Sequence, residues 1–214
     1  MRMIKKMLKF IEHTGVVAPL EISNVDTDTI IPKQFLKGID KKGLGKFLFH
    51  DWRYLDSNQL KKNNKFILNK KIYENASILL TKKNFGCGSS REHAVWSLLD
   101  YGFKVIVASS FSDIFYNNSF NNKLLLITLD EKKIDSIFDI VKKNLGINIS
   151  INLLTNKVII NQKTFFFKLD EFRRVSFLND IDHIDLTMNS LKEINVYENN
   201  IPFFLLNRKE FKSH

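Results

Sequence analysis

Apolar positions along the chain recur with two spacings. Ala76–Thr81 (ASILLT), Lys104–Ser109 (KVIVAS) and Lys123–Leu129 (KLLLITL) are short runs with no polar face, the pattern of strands covered on both sides. Between and after them the spacing becomes helical. Ser90–Tyr101 places Ala94, Trp96, Leu98 and Leu99 before a stop at Gly102, and Phe111–Phe120 follows the next strand. Glu131–Leu145 carries Ile134, Ile137, Phe138 and Val141 on one face and is closed by Gly146. Alternation of this kind predicts a parallel α/β layer.

The flanks read less regularly. Phe10–Leu20 suits a strand or hairpin ended by Pro19, and Ile147–Leu169 has strand character with a hairpin at Thr155–Asn156. Helices are predicted over Asp170–Asn179 and Ile184–Glu198. Residues 33–56 mix Gly38, Gly43 and Gly45 with Phe47, Phe49, Trp52 and Tyr54, which predicts short helices and a loop. The Lys/Asn-rich stretch Asn58–Asn75 reads as a mobile surface segment, with Phe66–Leu68 a short edge strand. With 214 residues the expectation is one domain over 1–200 and a loosely ordered tail over 201–214.

Composition narrows the class. Hydrophobic residues make 44% and charged residues 26%, which excludes a disordered or low-complexity scaffold. No apolar run approaches the ~18 residues that span a bilayer. The basic start is interrupted by Glu12 and His13 where a secretory signal would need an apolar core, so a cytoplasmic protein with no membrane association is expected. A single cysteine, Cys87, supplies neither an internal disulfide nor the thiolates of an iron-sulfur or structural zinc site, so no metal ligand is assigned to this chain. The charge, 33 Lys+Arg against 23 Asp+Glu or +10, is scattered in pairs such as Lys61–Lys62 and Lys142–Lys143, so it reads as compositional drift and nucleic acid is not expected as a partner.

The candidate chemistry lies at the central turn. Asn84–His93 (NFGCGSSREH) follows a buried strand and precedes a helix, where open α/β sheets place their ligands. Gly86 and Gly88 allow close backbone approach, and Ser89 and Ser90 read as N-cap hydroxyls beside unpaired amides, an anion-binding arrangement. Arg91 reads as a first-turn residue whose charge opposes the helix dipole, which favours a carboxylate or phosphate contact over a structural role. The bland alternative is a capped helix start after a glycine turn. Cys87 reads as a small spacer and His93 as a packing residue rather than a metal ligand. There is no G-x-S-x-G elbow, P-loop or G-x-G-x-x-G in the chain.

NFGCGSSREHA, with NVDTDTIIP upstream (Asn24–Pro32), YGFKVIVASSFSDIFYNNSFNN downstream and FRR at Phe172–Arg174, resembles the family of 3-isopropylmalate dehydratase small subunits of bacterial leucine biosynthesis. That family is similar to the mobile C-terminal domain of aconitase. The resemblance covers most of residues 8–200 and implies a swivelling β/β/α domain of the α/β class. It implies a hydro-lyase that isomerises 2-isopropylmalate and 3-isopropylmalate, active only with a large subunit that carries a [4Fe-4S] cluster. The family pattern puts the catalytic base on Ser89 and substrate contacts on Ser90, Arg91 and Gly88. A serine takes a proton from carbon only as an alkoxide, a state that needs amides, a cation and a water-poor cleft. Asp28 and Thr29, in the T-D-x-I segment, are expected to shape the cleft or hold Arg91. Cys87 and His93 are expected to support the turn. Phe35 and Leu36, with Lys37, fall where relatives carry the loop that separates an isopropyl group from a carboxylate arm.

Two other readings remain at this point. One is a related hydro-lyase acting on citraconate, methylmalate or homoaconitate. The other is an RNA-binding module that uses the positive charge.

Overall fold

The computed structural model describes residues 10–36, 40–179 and 191–201. Four strands lie parallel: β1 (Glu12–Leu20), β2 (Ile78–Thr81), β3 (Val105–Ala108) and β4 (Leu125–Thr128). Three more, β5 (Asn148–Asn152), β6 (Lys157–Ile160) and β7 (Lys163–Phe166), continue the sheet antiparallel from the other side of β1. The order is β4-β3-β2-β1-β5-β6-β7. Strand β1 is therefore the seam, paired through Val17–Leu20 to β2 and through Glu12–Val16 to β5.

The predicted parallel layer and the hairpin at Thr155–Asn156 are present, and every residue of β2 and β3 is buried. Alternate side chains feed two cores. Ala18, Leu79, Ile106 and Leu126 face the helices α3 (Glu92–Tyr101) and α4 (Asp113–Asn121) and the segment that follows β1. Val17, Ile78, Val105 and Leu125 face α5 (Glu131–Lys143), which buries the Ile134, Ile137, Phe138 and Val141 stripe as its spacing predicts.

Four expectations need correction. Strand β1 runs through Pro19 instead of ending there. The missing N–H falls beyond the stretch paired with β5, where no ladder bond on that side is lost. A second hairpin joins β6 to β7 through Asn161 and Gln162, both at positive φ, the geometry of a type I′ turn. Phe66–Leu68 is no edge strand. The Asn58–Asn75 stretch forms turns and two 3-10 turns, Ile67–Asn69 and Lys71–Tyr73, pinned by buried Leu68 and Tyr73. Glu92, not Ser90, opens α3. The short helices expected within residues 33–56 are the 3-10 turns Lys33–Phe35 and Gly45–Phe47, together with α2 (His50–Arg53). The helix α6 occupies Glu171–Asn179, and a last helix spans Leu191–Asn199. Residues 184–190 of the predicted final helix and residues 202–214 of the expected tail lie outside the described residues.

Phe138 is 1% exposed and Phe166 is 61% exposed. In urea titrations Phe138→Ala is expected to lose about 3–5 kcal/mol of stability. Phe166→Ser should stay within about 0.5 kcal/mol of the parent.

Candidate active site

Three loops leave the carboxyl ends of β1, β2 and β3 and continue the parallel pairing past the strands. The Gly86 N–H donates to the Val25 carbonyl (2.7 Å) and the Thr27 N–H to the Cys87 carbonyl (3.0 Å). The buried Thr27 hydroxyl donates to the Ser89 carbonyl at 2.7 Å. On the other flank the Phe85 N–H donates to the Ser110 carbonyl (3.2 Å), and the Ser112 hydroxyl donates to the Gly86 carbonyl (2.5 Å). Gly86 has φ +76° and no room for a side chain, since a Cβ would run into the Phe115 ring. Gly88, at φ +84°, faces Asp26 and Thr27.

This zipper sets the site. Asp26 caps the short helix α1 (Thr27–Ile30) by accepting from the Thr29 N–H at 2.6 Å, so the first turn projects Asp28 toward the neighbouring loop. There Asp28 meets Arg91 through both carboxylate oxygens: Nη1 donates to Oδ1, and Nη2 to Oδ2 at 2.6 Å. Arg91 is the N-cap residue of α3, in extended backbone, with no capping bond from its side chain. Ser89 and Ser90 therefore precede the cap rather than forming it, and Arg91 is not in the first turn. Tertiary pairing with Val25, Asp26 and Thr27 holds residues 86–89 alongside the neighbouring loop and delays the helix. Asp28 itself supplies a carboxylate to the Arg91 fork, so of the two expectations for the T-D-x-I segment it does hold Arg91.

The residues of the predicted turn are thus assembled with Asp28. Gly88, Ser89 and Ser90 are exposed, and no described residue hydrogen-bonds either serine hydroxyl. The Arg91 guanidinium holds the Asp28 carboxyl below the ordinary carboxylate range, against a smaller opposing effect of burial, with help from the Lys33 N–H and ammonium. Burial, and then the nearby Asp26 charge, push the Cys87 thiol upward, which disfavours a thiolate and suits a spacer. His93 packs against the Trp96 ring at 4.7 Å. Thr29 contributes its backbone N–H to the cap. Phe35 closes the 3-10 turn that starts at Lys33 and Leu36 follows it, and no hydrogen bond or ring contact among the described residues joins them to Ser89–Arg91. Lys37 lies outside the described residues. Of the FRR motif, Arg173 stacks on Tyr116 (4.5 Å) and binds Asn117, while Arg174 pairs with Glu171, so both serve α6 rather than the turn. Asp26 and Ser112 went unmarked in the sequence reading. The D-x-x-T spacing of Asp26 and Thr29 is the signal that marks the first; nothing in the sequence marks the second.

Comparison with known proteins meets this geometry. The family model of the aconitase C-terminal domain matches residues 7–132, which contain both zipped loops. The 3-isopropylmalate dehydratase small subunit of Buchnera aphidicola subsp. Diuraphis noxia is 97% identical over 97% of this chain and 100% of its own length. The chain belongs to the family of 3-isopropylmalate dehydratase small subunits. The protein of that name from Buchnera aphidicola subsp. Acyrthosiphon pisum is 64% identical over 97% of the chain and 100% of its own length. Among solved structures, 3-isopropylmalate dehydratase of Methanocaldococcus jannaschii aligns at TM-score 0.62 and 25% identity, covering 86% of this chain and 99% of that one. The fold is that of the aconitase C-terminal type, as the resemblance implies.

A cluster cofactor does not fit this small subunit. The chain has one cysteine, and among the described residues no three His, Cys, Asp or Glu side chains are placed to hold a metal. No helix among the described residues is long and apolar enough to cross a membrane.

The Asp28–Arg91 pair carries a pH signature. Because the folded Asp28 value lies below its unfolded value, the pair stabilises the fold fully above the ordinary carboxylate range and loses this as pH falls through the folded value. The melting-temperature gap between the parent and Asp28→Asn should be constant above about pH 5 and narrow below about pH 4. A gap that stays constant down to about pH 3 would show that the ionised pair contributes nothing to stability.

Proposed function

We propose that this chain is the small subunit of a heteromeric hydro-lyase that isomerises 2-isopropylmalate and 3-isopropylmalate by dehydration and rehydration in leucine biosynthesis, with Ser89 as the base. The observation that carries the assignment of roles is the zipper of the 24–29 and 84–91 loops, which leaves the Ser89 hydroxyl uncommitted beside Arg91 while fixing its backbone through Thr27. The catalytic domain spans residues 1–200, with residues 201–214 as an appended tail. It works in the cytoplasm, and nucleic acid is not among its partners.

The chemistry follows from what these groups can do. Isomerisation removes a hydroxyl from one carbon and a proton from its weakly acidic neighbour, then returns each to the other carbon of the transient double bond, so the base must be strong and locally stabilised. Ser89 takes the proton as an alkoxide, and Arg91 supplies the neighbouring positive charge. Asp28 keeps the guanidinium in one orientation, and its remaining N–H groups, with the Ser90 hydroxyl and the Gly88 backbone, receive a substrate carboxylate. Phe35 and Leu36 line the pocket for the alkyl group. In this chain alone the serines stand open to water, where an alkoxide is not sustained. The large subunit therefore closes the cleft and, with its [4Fe-4S] cluster, provides the Lewis acid for the departing hydroxyl.

The purified small subunit should show no iron-sulfur absorption and no dehydratase activity. Activity from this chain alone would end the heteromer reading. In the complex reconstituted with its large subunit, Ser89→Ala should fold and assemble normally and lose at least ~10³-fold in kcat. A tenfold or smaller loss would assign Ser89 to loop structure. Replacing Arg91 by Lys keeps the charge and removes the fork, so kcat/KM should fall about 10 to 100-fold. The melting temperature should fall slightly as well, because the bidentate contact to Asp28 is lost.

A further inference from the structure

A second arginine sits where a charge is costly. Arg53 is 9% exposed, and among the described residues no carboxylate lies within ion-pair distance of it. A buried cation persists only where its donors are satisfied. Two of its three nitrogens, Nη1 and Nε, are met by one short segment and one side chain beyond it. Nη1 donates to the carbonyls of Gly45 (3.2 Å), Leu48 (3.3 Å) and Lys46 (3.4 Å), and Nε to Asn69 Oδ1 (3.4 Å). The guanidinium also lies over the Tyr101 ring at 4.9 Å.

What the gathered segment touches gives the cation a purpose. Gly45 donates its N–H to Asp100 Oδ2 (2.7 Å) and presses on the backbone of Tyr101 so closely that a Cβ would sit 2.6 Å from its nitrogen. Phe47 stacks its ring on Phe35 at 4.1 Å and 9°. Phe49, fully buried, is held at φ +48°, a conformation that bulky residues avoid unless their surroundings impose it, and its N–H donates to the Ile30 carbonyl at the end of α1 (2.8 Å). His50, 3% exposed, places its ring 4.6 Å from Phe35, with Nε2 lacking a hydrogen-bond partner among the described residues. Phe35 is thus gripped by two rings, both carried on the segment and short helix that Arg53 organises.

We propose that Arg53 is a positioning residue for substrate selectivity: by collecting the carbonyls of residues 45–48 it fixes Phe47, and Phe47 with His50 fixes the Phe35 ring that sets the width of the alkyl pocket. This rests on the reading that Phe35 lines that pocket. In one plane Nη1 reaches the three carbonyls while Nε reaches Asn69, and an ammonium has no second donor held at that fixed angle.

The test uses the complex reconstituted with the large subunit and compares 2-isopropylmalate with 2-methylmalate for Arg53→Lys, Phe47→Ala and Phe35→Ala. Arg53→Lys and Phe47→Ala should raise KM for 2-isopropylmalate about tenfold with kcat nearly unchanged. The preference for isopropyl over methyl in kcat/KM should fall at least about fivefold, since a loosened wall penalises the group that fills the pocket. A purely structural role would scale both substrates equally and leave the ratio in place, which would overturn the proposal. If Arg53→Lys does not fold, Phe47→Ala reads the same link without disturbing the buried cation. A ratio that moves in Phe35→Ala but not in Phe47→Ala or Arg53→Lys refutes the proposal alone. A ratio unmoved in Phe35→Ala refutes the alkyl-pocket reading itself.

Discussion

The site depends on backbone pairing that outlives the strands that begin it. Once Val17–Leu20 is in register with Ile78–Thr81, the same offset carries Val25 to Gly86 and sets Asp26 opposite Cys87. Asp28 and Arg91, 63 residues apart in sequence, then meet without any flexible side chain searching for the other. A slip of one residue would turn the buried faces of β1 and β2 to the wrong core, so the hydrophobic pattern that secures the fold also fixes where the charges meet. Gly86 belongs to this constraint, because Phe115 occupies the space where any other side chain would begin.

The parallel layer was legible because its strands are apolar on both faces and its helices show a clean stripe, signals that survive without knowledge of tertiary contacts. The turn was legible as a location but not as a geometry. Two serines before an acidic residue look like a cap, yet the pull of the neighbouring loop keeps 86–89 out of the helix and passes the cap to Arg91. The same limit explains the segment over 58–75, where Lys and Asn dominate the composition and the buried side chains are Leu68 and Tyr73. Arg53 is the extreme case. Nothing in sequence distinguishes Arg53 among 33 cationic residues, since what sets it apart is a set of carbonyls supplied by the backbone.

The division of labour between chains has a physical logic. A serine open to water keeps its proton, because its hydroxyl is a very weak acid and water screens the charge of the neighbouring arginine. On the proposed reading, a cleft closed over the loops removes that screening and lets the Arg91 charge favour the ionised hydroxyl. The loops are zipped at the backbone and open at Gly88, Ser89 and Ser90, the side on which the proposed reading places the second protein.

The position of β1 at the seam also bears on how the chain reaches this state. Glu12 pairs with Asn152, far along the chain, and Val17 with Ile78. During synthesis the first strand emerges with neither neighbour available, and its antiparallel side stays bare until most of the chain has left the ribosome. Contacts closed over such distances make for slow folding and long-lived exposed edges. The window for misassociation is therefore set by the first strand's wait for the fifth, and chaperone demand for this protein should track elongation rate more closely than native-state stability.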